Sequence, residues 1–141
     1  YKETSKFIIR NFLLVLLAGD SVGRIIVESA TAEKDFHFHK ALGSFLSSGI
    51  PELKVDFKAV QDALTSVSFV TKKNCDVEEQ IADLFAYAAK CKFHKDDKNK
   101  HGAYEKMMIT MLNQKVFKNP RDAKEMKMKY FREVDSFLVL P

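Results

Sequence analysis

The apolar residues at the start of the chain change their spacing twice. They recur every three or four residues over residues 3–18, form a β-branched run at Arg24–Glu28, and return to the helical spacing over residues 33–48. A spacing of three or four residues is typical of the buried face of a helix, and a short β-branched run is typical of an interior strand. The pattern therefore predicts a helix, a strand and a second helix, in this order.

The middle of the chain, residues 53–71, has a mixed pattern with two candidate strands. These are Lys54–Phe57 and Leu64–Val70, and in the second Val67 and Phe69 alternate with serines, as in a half-buried strand. Two more helices and a terminal strand are predicted at Asp76–Phe93, Gly102–Gln114 and Ser136–Leu140. Together these elements predict an α/β fold with a short mixed sheet packed by several helices.

The helix that begins near Asp76 is predicted to lie at the centre of the fold. Its buried face is formed by apolar residues at helical spacing, namely Val77, Ile81, Leu84, Phe85 and Ala88. A neighbouring face holds polar residues at the same spacing, namely Gln80, Asp83, Tyr87 and Lys90. Because Asp83 is an acid in a helix of small and apolar residues, this polar face is a candidate lining for a functional site.

The composition is that of an ordinary globular domain, with 141 residues, 46% hydrophobic and 30% charged. The longest apolar run, Phe12–Gly19, is far shorter than the roughly 20 residues of a membrane-spanning helix, so no membrane partner is expected. Cys75 and Cys91 lie at opposite ends of one predicted helix, too far apart for a disulfide bond. Free thiols are typical of a reducing compartment, which predicts a cytoplasmic location.

The formal net charge of +4 is concentrated in the second half of the chain. Basic residues outnumber acidic ones clearly over residues 90–132. A basic surface of this kind suits a partner with a phosphate backbone, which makes nucleic acid a candidate partner. The lysines proposed to contact it are Lys90, Lys92, Lys95, Lys98 and Lys100. The alternative interpretation is an ordinary solvated surface rich in lysine.

Three acids are the candidates for catalysis. Glu28 ends the first predicted strand, Asp35 lies in the first turn of the next helix, and Asp83 lies on the polar face described above. Ligands of open α/β sheets bind at the carboxyl ends of strands. Three neighbouring carboxylates repel one another unless a cation such as Mg²⁺ or Mn²⁺ neutralises them, and two such ions support phosphodiester cleavage. The alternative is that Glu28 and Asp35 are simply acids at a strand end and a helix start.

Two segments resemble the C-terminal motifs of an uncharacterised family known as domain of unknown function 3800. They are Glu28–Asp35, which follows the first strand, and Val77–Ala88. The second segment contains the pattern Gln-x-Ala-Asp-x-x-Ala-Tyr at residues 80–87, which is typical of that family and is the more specific match. The resemblance covers about residues 3–93.

That family is regarded as ribonuclease-H-like, which implies a nuclease that acts on DNA or RNA with Mg²⁺ or Mn²⁺. By this resemblance Glu28 and Asp83 are metal-binding catalytic acids, Asp35 is a third candidate, and Gln80 is a supporting polar group. Where the family often has Arg-Gly after the strand acid, this chain has Ala30-Thr31, which weakens any phosphate contact there.

Members of that family open with a strand that carries an Asp-Glu-Ser-Gly motif, which this sequence does not contain. We therefore expect residues 1–141 to form a single domain that is the C-terminal part of a longer ribonuclease-H-like protein, or a domain that has lost its activity. The alternative function is a non-catalytic module that binds nucleic acid or another protein through the basic half of the chain.

Overall fold

The computed structural model describes residues 1–71, 73, 77–93, 101–115, 130 and 132–134. The chain forms two compact units, one built from Tyr1–Thr71 with the described part of Asn119–Pro141, and one within Lys72–Lys118. The first unit contains α1 (Lys2–Ala18), β1 (Gly23–Glu28), α2 (Ala32–Ser48), α3 (Phe57–Ala63) and β2 (Leu64–Val70). The second unit contains α4 (Val77–Phe93) and α5 (Ala103–Lys115). These elements confirm the α/β prediction.

The sheet of the first unit pairs β1 with β2 in parallel. Ile25 lies opposite Val67 and Glu28 lies opposite Val70. Parallel neighbours need a crossover connection, and α2 and α3 supply it here. Because both strands run in the same direction, their carboxyl ends meet at one edge, and Glu28 lies at that edge.

The core of the first unit lies between the helices and one side of the sheet. Its buried residues come from α1, α2, α3 and the loop before α3, and include Ile9, Leu13, Leu14, Phe38, Leu42, Ile50, Val55 and Val60. Ile25, Val27, Val67 and Phe69 of the two strands pack against them. The spacing of three and four residues in α1 and α2 places their apolar side chains on this single buried side.

Arg10 connects α1 to two other parts of the first unit. Its guanidinium donates to Oε1 of Glu52 at 3.3 Å and to the backbone oxygen of Glu133 at 3.2 Å. Tyr130 and Val134 pack against the same hydrophobic core. The planar guanidinium can donate in several directions at once, so one side chain holds both the loop after α2 and residues near the end of the chain.

One predicted strand, Lys54–Phe57, is wrong. The chain instead forms a short 3-10 helix, Pro51–Leu53, and an isolated antiparallel bridge between Ile50 and Val55. The Asp56 carboxylate then accepts a hydrogen bond from the Ala59 amide at 2.8 Å. An aspartate in this position satisfies a free amide of the first helical turn, so a helix begins at Phe57 where the pattern predicted a strand.

The second unit is a pair of packed helices. Ala88 of α4 is buried against Met108 and Leu112 of α5, with Phe85 and Ala89 beside them. The Lys92 ammonium donates to the side-chain oxygen of Asn113 at 2.6 Å. The contact between α4 and α5 therefore combines a small apolar core with a polar bond at its side.

The apolar face predicted for α4 is only partly buried. Val77, Ile81 and Leu84 are 65%, 48% and 36% exposed, so the prediction that they are buried is wrong. Among the described residues, α5 packs against the side of α4 that contains Phe85 and Ala88, and the adjacent apolar side is exposed. The predicted strand Ser136–Leu140 lies outside the described residues.

Candidate functional site

Glu28 is positioned by the parallel pairing of the two strands. It is the last residue of β1, it is half-buried, and it lies opposite Val70. The ladder continues one step further, because the Ser29 amide donates to the backbone oxygen of Val70 at 2.8 Å. The backbone on both sides of Glu28 is therefore held by β2, and the acid lies at the carboxyl edge of the sheet, as predicted.

Asp35 closes the short loop between Glu28 and α2. Its Oδ2 accepts a hydrogen bond from the Ser29 hydroxyl at 2.5 Å, and its Oδ1 accepts one from the Ala30 amide at 3.2 Å. Thr31 is the last residue of the loop. Its hydroxyl oxygen accepts a hydrogen bond from the Lys34 amide at 3.4 Å and so caps the start of α2. The structure thus brings Asp35 to the residues that directly follow Glu28.

These hydrogen bonds lower the pKa of Asp35. The Ser29 hydroxyl has the largest effect, followed by the Ala30 amide, because both donate to the ionised carboxylate and favour it. Partial burial raises the pKa of Asp35, and the nearby charge of His39, one helical turn further along α2, makes a smaller contribution that lowers it. Asp35 is therefore ionised at neutral pH.

The lowered pKa predicts how stability depends on pH. A carboxylate whose pKa falls on folding stabilises the protein above its unfolded-state pKa, and this contribution is lost as the pH falls through the folded-state pKa. We expect the melting temperature of wild type to exceed that of Asp35→Asn at neutral pH, and the difference to shrink as the pH falls below the ordinary value of 3.8. Thermal unfolding followed by circular dichroism between pH 2 and pH 7 measures both melting temperatures. A difference between them that does not change with pH would contradict this account.

Aromatic side chains pack beside this loop. The His39 ring stacks on Phe69 of β2 with centroids 4.2 Å apart, and Phe38 meets the same ring edge-on at 5.9 Å. These contacts hold α2 against the carboxyl half of β2. His39 has a packing role here, and a metal ion is not needed to explain its position.

Gln80 and Asp83 lie one turn apart on α4 in the second unit. Both side chains are exposed. Tyr87 lies one turn beyond Asp83, and a side-chain hydrogen bond with Cys91 is the largest of the effects that raise the pKa of Tyr87. The structure therefore places Asp35 against the two residues that follow Glu28 in the first unit, and places Gln80 and Asp83 one turn apart on α4 in the second.

The proposed nucleic-acid-binding lysines differ in their surroundings. Lys90 is exposed on α4. Lys92 is engaged within the unit, since it donates to Asn113 and lies 5.1 Å from the centre of the Phe93 ring. Lys95, Lys98 and Lys100 lie outside the described residues.

An open cavity in the first unit lies at the other end of β1. It has a volume of about 270 Å³ and is lined by Leu16, Asp20, Val22 and Asp62, among others. Val22 directly precedes β1, whereas Glu28 ends it. The cavity therefore does not contribute to the site at Glu28.

The candidate acids suit a hard metal ion by their chemistry. Glu28, Asp83 and Gln80 offer oxygen ligands, which Mg²⁺ and Mn²⁺ prefer to nitrogen or sulfur. Within the described residues, no group of three or more acidic, histidine or cysteine side chains is close enough to hold a metal ion. Both oxygens of Asp35 already accept hydrogen bonds from the chain, so its position has an explanation that does not need a metal ion.

Ser29 and Ala30 are functional candidates that the sequence did not indicate. They donate hydrogen bonds to Asp35 directly after Glu28 in the chain, although nothing in their residue types marks them. The sequence feature that could have indicated them is Asp35 itself, an acid in the first turn of a helix that follows a loop of only three residues.

In the part of the chain that the structure describes, no helix is long and apolar enough to cross a membrane. Comparisons with known protein families, curated proteins and solved structures find no match to this chain. The candidate site is therefore defined by the contacts of the chain's own residues.

Proposed function

We propose that the chain is part of a cytoplasmic, metal-dependent nuclease of the ribonuclease-H-like type, with Glu28 of the first unit and Asp83 of the second unit each a metal-binding acid for Mg²⁺ or Mn²⁺. The position of Glu28 carries this proposal. An acid at the carboxyl end of a strand, in a parallel pair connected through helices, occupies the place where ligands of α/β sheets bind. The sequence pattern around Gln80 and Asp83 adds support from the resemblance described above.

The chain's residues have distinct roles in this proposal. Glu28 and Asp83 supply carboxylate oxygens, and Gln80, one turn before Asp83, orients that acid or a bound water through its side-chain amide. When bound, the metal activates water and stabilises the leaving oxygen of a phosphodiester. Lys90 and its basic neighbours along the chain attract the phosphate backbone, and such contacts predict an affinity for nucleic acid that falls steeply with salt.

Binding of Mn²⁺ tests the proposed metal site. Wild type and the variants Glu28→Gln and Asp83→Asn are heated with increasing Mn²⁺, and unfolding is followed by circular dichroism. A metal that binds only the folded state, at 100 times its dissociation constant, stabilises it by about 2.7 kcal/mol. We expect Mn²⁺ to raise the melting temperature of wild type and to have little effect on either variant.

Asp62→Asn is the matched control, because Asp62 is an exposed helical acid of the first unit that lines the cavity beside Val22, at the opposite end of β1 from Glu28. It should respond to Mn²⁺ as wild type does. The proposed site would be refuted if Mn²⁺ did not raise the melting temperature of wild type, or raised it equally in all four proteins. A shift lost in both variants would justify cleavage assays with labelled single-stranded DNA and RNA on the longer parent protein, where Asp83→Asn should abolish cleavage.

The exposed apolar side of α4 favours the alternative of a non-catalytic module. In the part of the chain that the structure describes, Val77, Ile81 and Leu84 form an exposed stripe at helical spacing, and exposed apolar patches often mark contacts with other proteins. If this alternative holds, charge reversal at Lys95 and Lys98 disturbs partner binding more than Asp83→Asn does. Equal binding of nucleic acid by wild type and the charge-reversed variant would count against the nuclease and against the nucleic-acid-binding form of this alternative.

A further inference from the structure

We propose that the outer face of α2, formed by Phe36, His39 and Lys40, binds single-stranded nucleic acid. Bases stack on the two rings, and the lysine contacts the phosphate backbone. The inference rests on the proposed function for the class of partner, and it adds the form of nucleic acid that the first unit recognises.

Phe36 is an aromatic residue on the solvent side of an amphipathic helix. The residues that α2 buries, Phe38, Ala41 and Leu42, belong to the core of the first unit, whereas Phe36 is 59% exposed. Single exposed apolar side chains are common on protein surfaces, so Phe36 by itself does not make a site. What makes one is the residues that share its side of the helix.

His39 supplies a second exposed ring. It follows Phe36 by three residues, and side chains at this spacing are neighbours on a helix surface. One face of its imidazole stacks on Phe69, with ring centroids 4.2 Å apart and planes 17° apart. Since the His39 side chain is nevertheless exposed, its other face and its edges are open to solvent. Phe69 thus holds the ring flat in advance, which lowers the entropy cost of stacking another ring on it.

The charge of this face is positive. Lys40 is exposed and lies one turn after Phe36, on the same side of α2. The acids of α2, Glu33 and Asp35, both lie in its first turn, and residues 36–48 contain none. The two rings therefore lie beside a cation on a stretch of helix without carboxylates.

This combination suits unpaired bases. Proteins bind single strands by stacking the bases on aromatic side chains, histidine among them, while basic side chains contact the phosphates. In a duplex the faces of the bases are already stacked on one another, so exposed rings cannot reach them. The surface one turn beyond Lys40 is open as well, because a Cβ at Gly43 would meet nothing within 4 Å. A strand can therefore approach the helix closely there.

Binding of a fluorescein-labelled oligothymidylate to the full chain tests the inference. Fluorescence anisotropy is measured in EDTA, so that no metal ion takes part, after circular dichroism has shown that each variant folds. Loss of one stacked base is expected to weaken binding by about 5–100-fold in Phe36→Ala and in His39→Ala. Lys40→Gln should reduce the slope of log affinity against log salt by about 0.7, the effect of one phosphate contact.

Two further substitutions of Phe36 separate stacking from general apolar contact. Phe36→Tyr keeps a flat ring and should bind like wild type, whereas Phe36→Leu keeps an apolar side chain without a ring and should bind as weakly as Phe36→Ala. Phe57→Ala is the matched control, because Phe57 is a 50% exposed phenylalanine of the same unit. It begins α3 next to Gly49, which follows the other end of α2, and its loss should not change binding.

Several results would overturn the inference. These are no binding of the oligothymidylate by wild type, equal binding by wild type and Phe36→Ala, and equally tight binding of a labelled duplex. Wild-type affinity in Phe36→Leu would also overturn it and would indicate an apolar contact with a protein or a lipid surface.

The outcome for this face and the outcome for the proposed metal site are separate. Stabilisation by Mn²⁺ that depends on Asp83, without oligothymidylate binding, would remove this inference and leave the metal site standing. Oligothymidylate binding that depends on Phe36, without any effect of Mn²⁺ on the melting temperature, would remove the metal site and leave the α2 face as a nucleic-acid-binding surface.

Discussion

Replacing Gly49 with alanine is expected to lower the free energy of unfolding by about 2–6 kcal/mol. Gly49 has φ +69° and ψ −145°, a conformation that is open essentially to glycine alone and that costs other residues about 1–3 kcal/mol. An added Cβ would also overlap the backbone oxygen of Val55 and lie 2.7 Å from the carbonyl carbon of Asp56. Because these are backbone atoms, the clash cannot be relieved by a side-chain rotation, and such overpacking costs about 1–3 kcal/mol more.

Gly43→Ala is the matched control in the same helix region. Gly43 lies within α2, and a Cβ there would meet nothing within 4 Å. Alanine loses less backbone freedom than glycine on folding, so this variant should be more stable than wild type by about 0.5–1 kcal/mol. Urea unfolding followed by circular dichroism compares both variants, and a Gly49→Ala protein as stable as wild type would refute the geometry at the end of α2.

Replacing Ile9 with alanine is expected to cost about 2–5 kcal/mol of unfolding free energy. Ile9 is 0% exposed and belongs to the core that joins α1 to α2 and the sheet. The substitution removes apolar contacts and leaves a cavity that the surrounding side chains fill only in part. Urea unfolding of the full chain measures the loss.

The neighbouring Ile8 provides an internal comparison. It is 52% exposed, so Ile8→Ala makes the same chemical change on the solvent side of α1. Surface substitutions of this type usually change stability by less than about 0.5 kcal/mol. Similar losses in the two variants would show that α1 does not bury the face that contains Ile9.

The local pattern of the sequence predicted most elements of the first unit. The helices observed at Lys2–Ala18 and Ala32–Ser48 and the strand Leu64–Val70 lie within a residue of the predicted bounds. Each of these elements has a full apolar face of its own, so its period is visible without knowledge of its neighbours. Phe57 was assigned wrongly because the cap formed by Asp56 outweighed a short apolar pattern.

The site was predicted less completely. Glu28 was expected at a strand end and lies there, next to Val70. That Asp35 accepts hydrogen bonds from Ser29 and Ala30 was not foreseen, because a polar loop of three residues can adopt many conformations and its sequence does not select one. Val77 and Ile81 of α4 were also predicted to be buried, and both are exposed. Helical spacing shows that a helix has an apolar face, but it does not show which part of that face packs against another element.

Apolar spacing alone thus determined the α/β class, the order of most elements and the strand end at which Glu28 lies. These features depend on residues close together in the chain, whose side chains share a face through helix or strand geometry. The parallel pairing of β1 with β2, the closure of the loop by Asp35 and the choice of Ala88 for the contact with α5 were decided only by tertiary structure. They depend on which surfaces meet, and that is set by packing between residues distant in sequence.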